Sequence, residues 1–497
     1  MALVPIKLPP GVFRNGTELQ ASGRWYDANL VRWFEGTLRP MGGWLQWSSA
    51  IVSGVPRGMF AWRDNSTNVW LAVGSASKLY VYQGDGDQAD ITPTSFSAGR
   101  TDATGGVGYG NGDYGEQAYG TQRLNLAQTG ILPATTWSID NWGQYLVACS
   151  DYDGKLYEWQ LDFATPTKAV AITNAPTSCK GLIVSEERFL FALGAGGDPR
   201  KVQWSDQEDN TVWTPAATNQ AGDFILSTPG SIVGARRVRG GVLILTDVDA
   251  HFAQYQGPPY VYGFERVGTG CGLVSAIGVA TADTFAAWMG QSGFWMFDGY
   301  TKPLPSDVSD YVFNNINRGQ ISKVSAVHNS KFAEIWWFYP SGDNLEIDSY
   351  VIWNYRENHW SIGSLVRTVG TGQGVFSVPL MAGSDGKIYQ HETGWIYSGA
   401  GGSPYAESGP YQIGMGDNIL VAKQLIPDEN TLGDVTATFK TRLYPTGDEL
   451  TYGPYSLANP TSIRLQGRQM KVRVNSNNNV DWRVGVFRFD AQAGSKR

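Results

Sequence analysis

The chain has 497 residues, enough for a large core and more than one ordinary domain. It contains 61 glycines and 13% aromatic residues, whereas only 17% of its residues are charged. Many short strands joined by tight turns have this composition, so we expect an all-β chain. The net charge of −7 argues against a protein that coats a nucleic acid.

The charge is unevenly distributed along the chain. Up to Arg63 there are seven lysines and arginines against three carboxylates, and from Arg464 onward there are eight against two. The ends therefore carry +4 and +6, and the middle carries −17. This asymmetry predicts docking surfaces at the ends for acidic neighbours or phosphates, with ordinary solvated surface charge as the alternative.

Cysteine usage and the apolar runs indicate the setting in which the protein assembles. Cys149, Cys179 and Cys271 are odd in number and far apart, so neither a disulfide framework nor a cysteine zinc site is indicated. The first residues lack the pattern of a signal peptide, and no apolar run approaches the length of a membrane span. We expect reduced, intracellular assembly and no membrane span; if the protein leaves a cell, we expect it to leave by lysis or inside a particle.

Residues 1–50 form a first segment with turn signals at 9–11 and 40–43 and several aromatic residues suited to packing on a sheet. We expect this segment to be an arm or an edge element.

Residues 51–400 contain seven segments with two apolar runs around a turn. They are residues 69–84, 145–159, 188–206, 241–257, 285–297, 333–363 and 380–394. A unit of this size cannot bury both faces alone, so radial packing predicts a β-propeller of six or seven blades. A sandwich array and a β-helix are competing all-β architectures that the strand lengths and the long connections disfavour.

The segment after residue 284 combines two kinds of pattern. Phe285–Met289 and residues 293–297 predict a β-hairpin. Apolar residues at helical spacing then predict one short helix capped by Ser306 or Asp307. The helical face consists of Val308, Tyr311, Val312 and Ile316.

Two further regions depart from the hairpin pattern. The Gly- and Tyr-rich residues 101–122 predict a long loop that is ordered by contact with a partner. Beyond a linker at 399–404, residues 405–497 alternate with period two, which predicts a small separate antiparallel β domain with one solvated face. The partner-binding cations expected on that face are Arg464, Lys471, Arg473, Arg483 and Arg488.

The sequence offers little chemistry for catalysis. Its four histidines lack neighbours at metal-ligand spacing, no nucleophile elbow occurs, and the glycine run at 105–110 has no strand-to-helix context. We therefore expect no catalytic, metal or cofactor residues and no enzymatic activity. Three alternatives stay open: calcium binding by aspartates in the Asp-Gly turns, a glycosidase with paired carboxylates, and a sugar platform at Trp336 to Tyr339. For the aspartates, the preferred interpretation is that they form the turns, and for Trp336 to Tyr339 it is that they pack in the core.

Four spaced segments resemble a family of bacteriophage tail proteins. They are residues 204–224, 257–279, 288–313 and 467–490. The family includes packaged-DNA stabilisation or tail-hub proteins and, by analogy, the tubular nozzle proteins of short-tailed phages. The resemblance spans roughly residues 10–490 and implies no catalytic residues or cofactors.

The resemblance implies a structural virion protein that is assembled in the host cytoplasm. Its subunits would form a ring, a hexamer, below the head-to-tail adaptor, retain the packaged genome, conduct DNA during ejection without reading its sequence, and support tail fibres or spikes. An acidic middle facing the bore would repel the passing duplex. The alternatives are a receptor- or glycan-binding propeller, including a glycosidase, and a general interaction propeller inside a bacterium.

Overall fold

The computed structural model describes residues 2–84, 86–105, 131–397, 403–412, 418–476 and 478–494. Seven four-stranded antiparallel sheets form the blades of a β-propeller, so the predicted architecture is confirmed and the number of blades is seven. The first strands of successive blades lie side by side in a closed ring, which places them innermost. Each of the seven segments predicted from the sequence supplies central strands of a different blade.

The strands of blades 1 to 4 follow one another along the chain and are given from the innermost outward. Blade 1 has Pro56–Arg63, Val69–Ser75, Leu79–Gln83 and Asp87–Asp90; blade 2 has Trp137–Trp142, Tyr145–Ser150, Leu156–Trp159 and Val170–Ala171. Blade 3 has Gly181–Val184, Leu190–Leu193, Lys201–Trp204 and Gly222–Ile225; blade 4 has Ile232–Val238, Gly241–Thr246, Asp249–Gly257 and Val261–Thr269.

The last three blades complete the ring. Blade 5 has Val279–Ala282, Phe285–Met289, Phe294–Phe297 and Thr301–Leu304; blade 6 has Ser325–Asn329, Glu334–Tyr339, Ser349–Asn354 and His359–Ser364; blade 7 has Val369–Thr371, Leu380–Ala382, Ile388–His391 and Trp44–Gln46. The outermost strand of blade 7 comes from the beginning of the chain, so strand pairing between distant segments closes the propeller.

The second strand of blade 6 shows why the aromatic residues are buried. Trp336 and Phe338 pack into one apolar cluster and Trp337 and Tyr339 into another, and all four are at most 2% exposed. Alternate side chains point to opposite faces of a strand, and neighbouring blades cover both faces here. The core interpretation is confirmed, and these residues offer no sugar platform.

The helical and short elements lie between the sheets. The predicted helix is present at Ser309–Asn315, but its cap was predicted wrongly: Val308 occupies the N-cap position, and the Asp307 carboxylate pairs with Arg24 instead. Burial of the apolar face outweighs the capping preference.

The 3-10 helices are Glu18–Ala21, Ala195–Gly197, Arg318–Lys323 and Ser330–Phe332. The two-stranded ribbons are Thr104–Gly105 with Ile131–Leu132 and Val31–Phe34 with Thr37–Pro40. Among the described residues no helix is both long and apolar enough to cross a membrane.

Strands from both ends of the chain form a β-sandwich beside the propeller. Sheet 1 consists of Ala2–Ile6, Phe487–Ala493, Leu420–Ile426 and Thr461–Gly467. Sheet 2 consists of Trp25–Asn29, Tyr405–Ser408, Gln469–Ser476, Val435–Arg442 and Leu450–Ser456, with Tyr411–Gln412 paired to Gln469–Ser476. The sheets meet face to face, as the rings of Phe439 and Phe489, 5.3 Å apart, illustrate.

The strand pairing divides the chain differently from the sequence analysis. That analysis placed an arm at 1–50 and a separate C-terminal domain at 405–497, but the sandwich takes Ala2–Ile6 and Trp25–Asn29 from the first segment. Blade 7 takes Trp44–Gln46 from it as well. Pairing between residues hundreds of positions apart leaves no trace in local periodicity.

The predicted loop at 101–122 lies outside the described residues from 106 onward, and most of the predicted linker at 399–404 lies outside them too.

A buried ion-pair cluster attaches the first segment to the propeller. Arg32 donates two hydrogen bonds to Glu334 in blade 6, at 2.9 and 3.0 Å, and two to Glu392 after the third strand of blade 7, at 2.8 and 2.5 Å. These side chains are 2 to 5% exposed, and the guanidinium also lies 3.7 Å from the centre of the Phe332 ring. Burial raises the pKa of Glu334, whereas at Glu392 the attraction of Arg32 outweighs burial and lowers the pKa.

We expect Arg32→Met to lower the free energy of unfolding by about 3–5 kcal/mol, because it leaves two buried carboxylates without their cation. Urea denaturation followed by tryptophan fluorescence measures the loss. The matched control is Arg24→Met, which breaks a half-exposed ion pair of the same segment and should cost at most about 1 kcal/mol. Equal losses in the two variants would contradict the structural role of the cluster.

A second buried contact holds the closing strand of blade 7. The Trp44 ring stacks on His391 with 5.2 Å between centroids, and Arg367 Nε donates a hydrogen bond to His391 Nε2 at 2.8 Å. Burial, with the neighbouring Arg367 charge, lowers the pKa of His391 well below its ordinary value of 6.5. The neutral ring is therefore the form that the folded chain accommodates.

Acidification should weaken this contact. Below pH 6.5 the unfolded chain protonates His391 while the folded chain does not, so the stabilisation by the neutral ring is complete above that pH and is lost below it. Between pH 7.5 and 5.5, the free energy of unfolding should fall by on the order of 1 kcal/mol more in wild type than in His391→Gln. The glutamine amide of this variant can still accept a hydrogen bond from Arg367. Denaturation at both pH values tests this, and parallel pH profiles would contradict it.

Candidate functional site

The exposed face of sandwich sheet 1 presents a concentration of unpaired cations. Four exposed side chains lie there, on or beside its four strands, and no carboxylate of the described chain lies within ion-pair distance of any of them. They are Lys7, Lys423, Arg464 and Arg488. We call these four residues the basic face; the half-buried Asp490 lies on the same surface.

Strand geometry explains how the basic face arises. Arg464 and Arg488 point outward because the neighbours on either side of each are apolar and buried in the sandwich core. Lys423 lies in a β-bulge between Ala422 and Gln424, and the bulge exposes Lys423 at the level of Arg464. Lys423 was missed from the sequence because the bulge interrupts the period-two alternation on which the prediction relied. Lys7 was missed because the first segment was predicted to be an arm apart from this sheet.

Lys471 belongs to the core rather than to a solvated face. Its ammonium group contacts Glu449 at 2.5 Å and also contacts Glu18, and its side chain is 9% exposed. Burial alone would lower the pKa of Lys471, but hydrogen bonds to both glutamates outweigh it and raise the pKa. Arg442 pairs with the same glutamates, so two cations and two carboxylates cancel. The sequence-based placement of Lys471 on a solvated face is wrong.

The two remaining predicted cations are exposed in part but have acidic partners. Arg473 pairs with Glu407 at 3.2 Å, and its guanidinium lies 3.6 Å from the centre of the Tyr405 ring. Arg483 is half exposed and pairs with Asp481 at 3.3 Å. Of the five predicted residues, therefore, Arg464 and Arg488 share one exposed sheet face, and the others lie elsewhere with their charges compensated. Binding by any of the five stays a prediction.

The Asp-Gly turns of the blades are stabilised by side-chain hydrogen bonds. The Tyr389 hydroxyl donates to Asp385 at 2.7 Å, and the equivalent Tyr157 hydroxyl donates to Asp153. Gly386 follows with a φ of +75°, the left-handed conformation that glycine adopts without strain. These bonds explain the shared Lys, apolar, Tyr pattern after the turns. No group of three or more potential metal ligands occurs within the described ranges.

The four histidines pack against or hydrogen-bond neighbouring side chains of the fold. His251 contacts Asp249 at 3.1 Å, His328 contacts the Tyr355 hydroxyl at 3.1 Å, and His391 accepts from Arg367. Burial lowers the pKa of each of the four, including His359. In the part of the chain that the structure describes, none of them hydrogen-bonds a serine or cysteine as a catalytic base would.

Two cavities of ligand size open on the propeller. A groove of about 940 Å³ lies between blades 4 and 5, with Glu265, Asp298 and Tyr300 in its wall. The central channel holds a cavity of about 420 Å³ lined by the innermost strands of all seven blades.

Comparison with known proteins identifies no family for this chain. No protein-family model matches the chain, and no curated protein matches it. One similar solved structure is virginiamycin B lyase from Staphylococcus aureus, with a TM-score of 0.43 and 7% identity over 70% of this chain and 97% of that chain. Another is the Neurospora crassa Pan2 WD40 domain, with a TM-score of 0.40 and 8% identity over 71% of this chain and 97% of that chain. BamB from Moraxella catarrhalis has a TM-score of 0.31 and 11% identity, with 69% and 98% covered. The seven-bladed assignment rests on the sheets of this chain.

The different surroundings of Lys471 and Arg464 predict different mutational effects. Lys471→Met should lower the free energy of unfolding by about 1–3 kcal/mol, because it leaves Glu18 and Glu449 half-buried with one cation fewer. Arg464→Met changes only an exposed, unpaired side chain and should stay within about 0.5 kcal/mol of wild type. Urea denaturation of both variants is the measurement, and a larger loss in Arg464→Met would contradict the assignment.

Proposed function

We propose that this protein is a structural component of a bacteriophage tail, a hub or nozzle subunit that forms a hexameric ring below the head-to-tail adaptor. The ring retains the packaged genome and conducts DNA during ejection, and its outside supports tail fibres or spikes. The protein is assembled in the host cytoplasm and acts in the virion tail, without catalysis. The resemblance of four sequence segments to this family motivates the proposal.

The basic face is the observation that carries the proposal. Unpaired exposed cations on one rigid sheet suit an acidic docking partner, since opposite potentials favour specific encounter. Both chain ends contribute to this sheet, Lys7 from the first segment and Arg464 and Arg488 from the last. We infer that the basic face docks on the adaptor ring or on the adjacent subunit, in a head-to-tail contact that closes into a ring.

The bore of such a ring lies between subunits. The central channel of one propeller has a cavity of only about 420 Å³, far too small for a DNA duplex. Acidic residues of the propeller surface would face the bore, where repulsion from phosphates keeps the duplex mobile. Binding of DNA would then be weak and independent of sequence.

Native mass spectrometry with negative-stain imaging tests the assembly. We expect a six-fold ring with a bore of duplex width, alone or on the adaptor ring of the same virion. The double variant Arg464→Glu with Arg488→Glu should lose adaptor docking while its unfolding curve stays unchanged, because both side chains are exposed and unpaired. The matched control reverses two exposed blade 3 cations, Lys180→Glu with Arg200→Glu, and should dock normally.

A second candidate function is recognition of a receptor or glycan by the propeller. The groove between blades 4 and 5 combines Tyr300, 81% exposed, with the carboxylates of Glu265 and Asp298, a combination that suits sugar binding. A stable monomer or trimer that ignores the adaptor but retains a glycan would favour this candidate and contradict the tail-ring proposal.

A further inference from the structure

Buried side-chain contacts join the segment before blade 6 to the segment after blade 1. The Gln320 side chain, before blade 6, accepts from the Ala103 amide and donates to its carbonyl oxygen, each at 3.0 Å. Lys323 contacts Asp102 at 2.5 Å and is fully buried. Asp102 and Ala103 follow blade 1 in the chain, so these contacts join segments that belong to blades that are not neighbours in the ring. The residues that line the cavity of about 420 Å³ do not include these four.

Three ionised side chains enter the cavity, and two of them cancel. Asp140 of blade 2 accepts a hydrogen bond from Arg237 of blade 4 at 2.8 Å and another from the Val184 amide of blade 3 at 2.9 Å. Burial raises the pKa of Asp140 even with this partner. His328 in the cavity wall is kept neutral, since burial lowers its pKa. The Asp140 carboxylate is therefore already paired with a cation, and His328 carries no charge.

Arg236 is the third ionised group, and Asp140, which already pairs with Arg237, attracts Arg236 only from beyond ion-pair distance. Its guanidinium donates to two carbonyl oxygens, of Ala235 at 2.8 Å and of Ala276 at 3.0 Å, and no carboxylate of the described chain lies within ion-pair distance. Burial lowers the pKa of Arg236 to about 10. The two carbonyl bonds fix the plane of the guanidinium while its side chain remains partly accessible from the cavity.

We propose that the central channel binds one small anion, a carboxylate or a phosphate, on the Arg236 guanidinium. A cation removed from bulk water is stabilised by an anion that forms charge-assisted hydrogen bonds, and guanidinium groups match both oxyanions geometrically. The cavity volume of about 420 Å³ lies in the range of small-molecule sites. This site is independent of the basic face and of the proposed tail function.

Isothermal titration calorimetry of the full chain at low ionic strength tests the site, with inorganic phosphate in one arm and succinate in the other. We expect saturable binding of at least one probe at one site per chain, weakened about ten-fold or more by Arg236→Gln. The control Arg239→Gln removes an exposed arginine three positions along the same blade, outside the channel, and should bind like wild type. The arm that binds more tightly identifies the oxyanion.

Two outcomes would overturn the proposal: no saturable binding of either probe by wild type, or unchanged binding by Arg236→Gln. Should that variant fail to fold, Arg236→Lys keeps the charge and loses the planar fork, and unchanged affinity there would equally contradict the assignment. Arg464→Glu with Arg488→Glu should retain the channel site, which separates channel binding from weak attraction to the basic face.

Discussion

The paired guanidinium of Arg32 is the constraint on which the architecture depends. It holds the first hairpin of the chain against Glu334 of blade 6 and Glu392 beside blade 7 in surroundings that exclude water. A buried charge of this kind tolerates little displacement, because each lost contact leaves an uncompensated partner. The chain continues from this hairpin into Trp44–Gln46, so the cluster also positions the strand that closes the ring.

The sandwich and the propeller form one continuous structure. A single apolar cluster includes Phe439 and Phe489 of the sandwich together with Trp337 and Trp360 of blade 6. The Val12 amide donates to the Trp360 carbonyl at 2.7 Å, which pairs the first segment with the outer strand of that blade. The basic face is thus carried on a core shared with the propeller, and a partner docked there is oriented relative to the blades.

Charge placement separates structural from interaction roles. The cations that hold elements together, such as Arg32 and Lys471, are buried and matched by glutamates. The cations of the basic face and Arg236 in the channel lack such partners in the described chain. An unmatched cation on a rigid element adds little to stability because it gains no ion-pair energy within the fold, and its field remains available to a binding partner. These positions therefore carry the two interaction proposals.

The sequence by itself predicted all seven hairpins and the helix at Ser309–Asn315. Local pattern was sufficient for them because a hairpin with a Gly turn and alternating apolar runs depends only on residues that are neighbours in sequence. It could not reveal that Trp44–Gln46 closes blade 7, that Lys471 is buried between Glu18 and Glu449, or that Arg236 faces a cavity. Those facts depend on contacts between segments far apart along the chain. Period-two alternation identifies which residues share a strand face, but only the tertiary structure decides whether that face meets water, a carboxylate or another sheet.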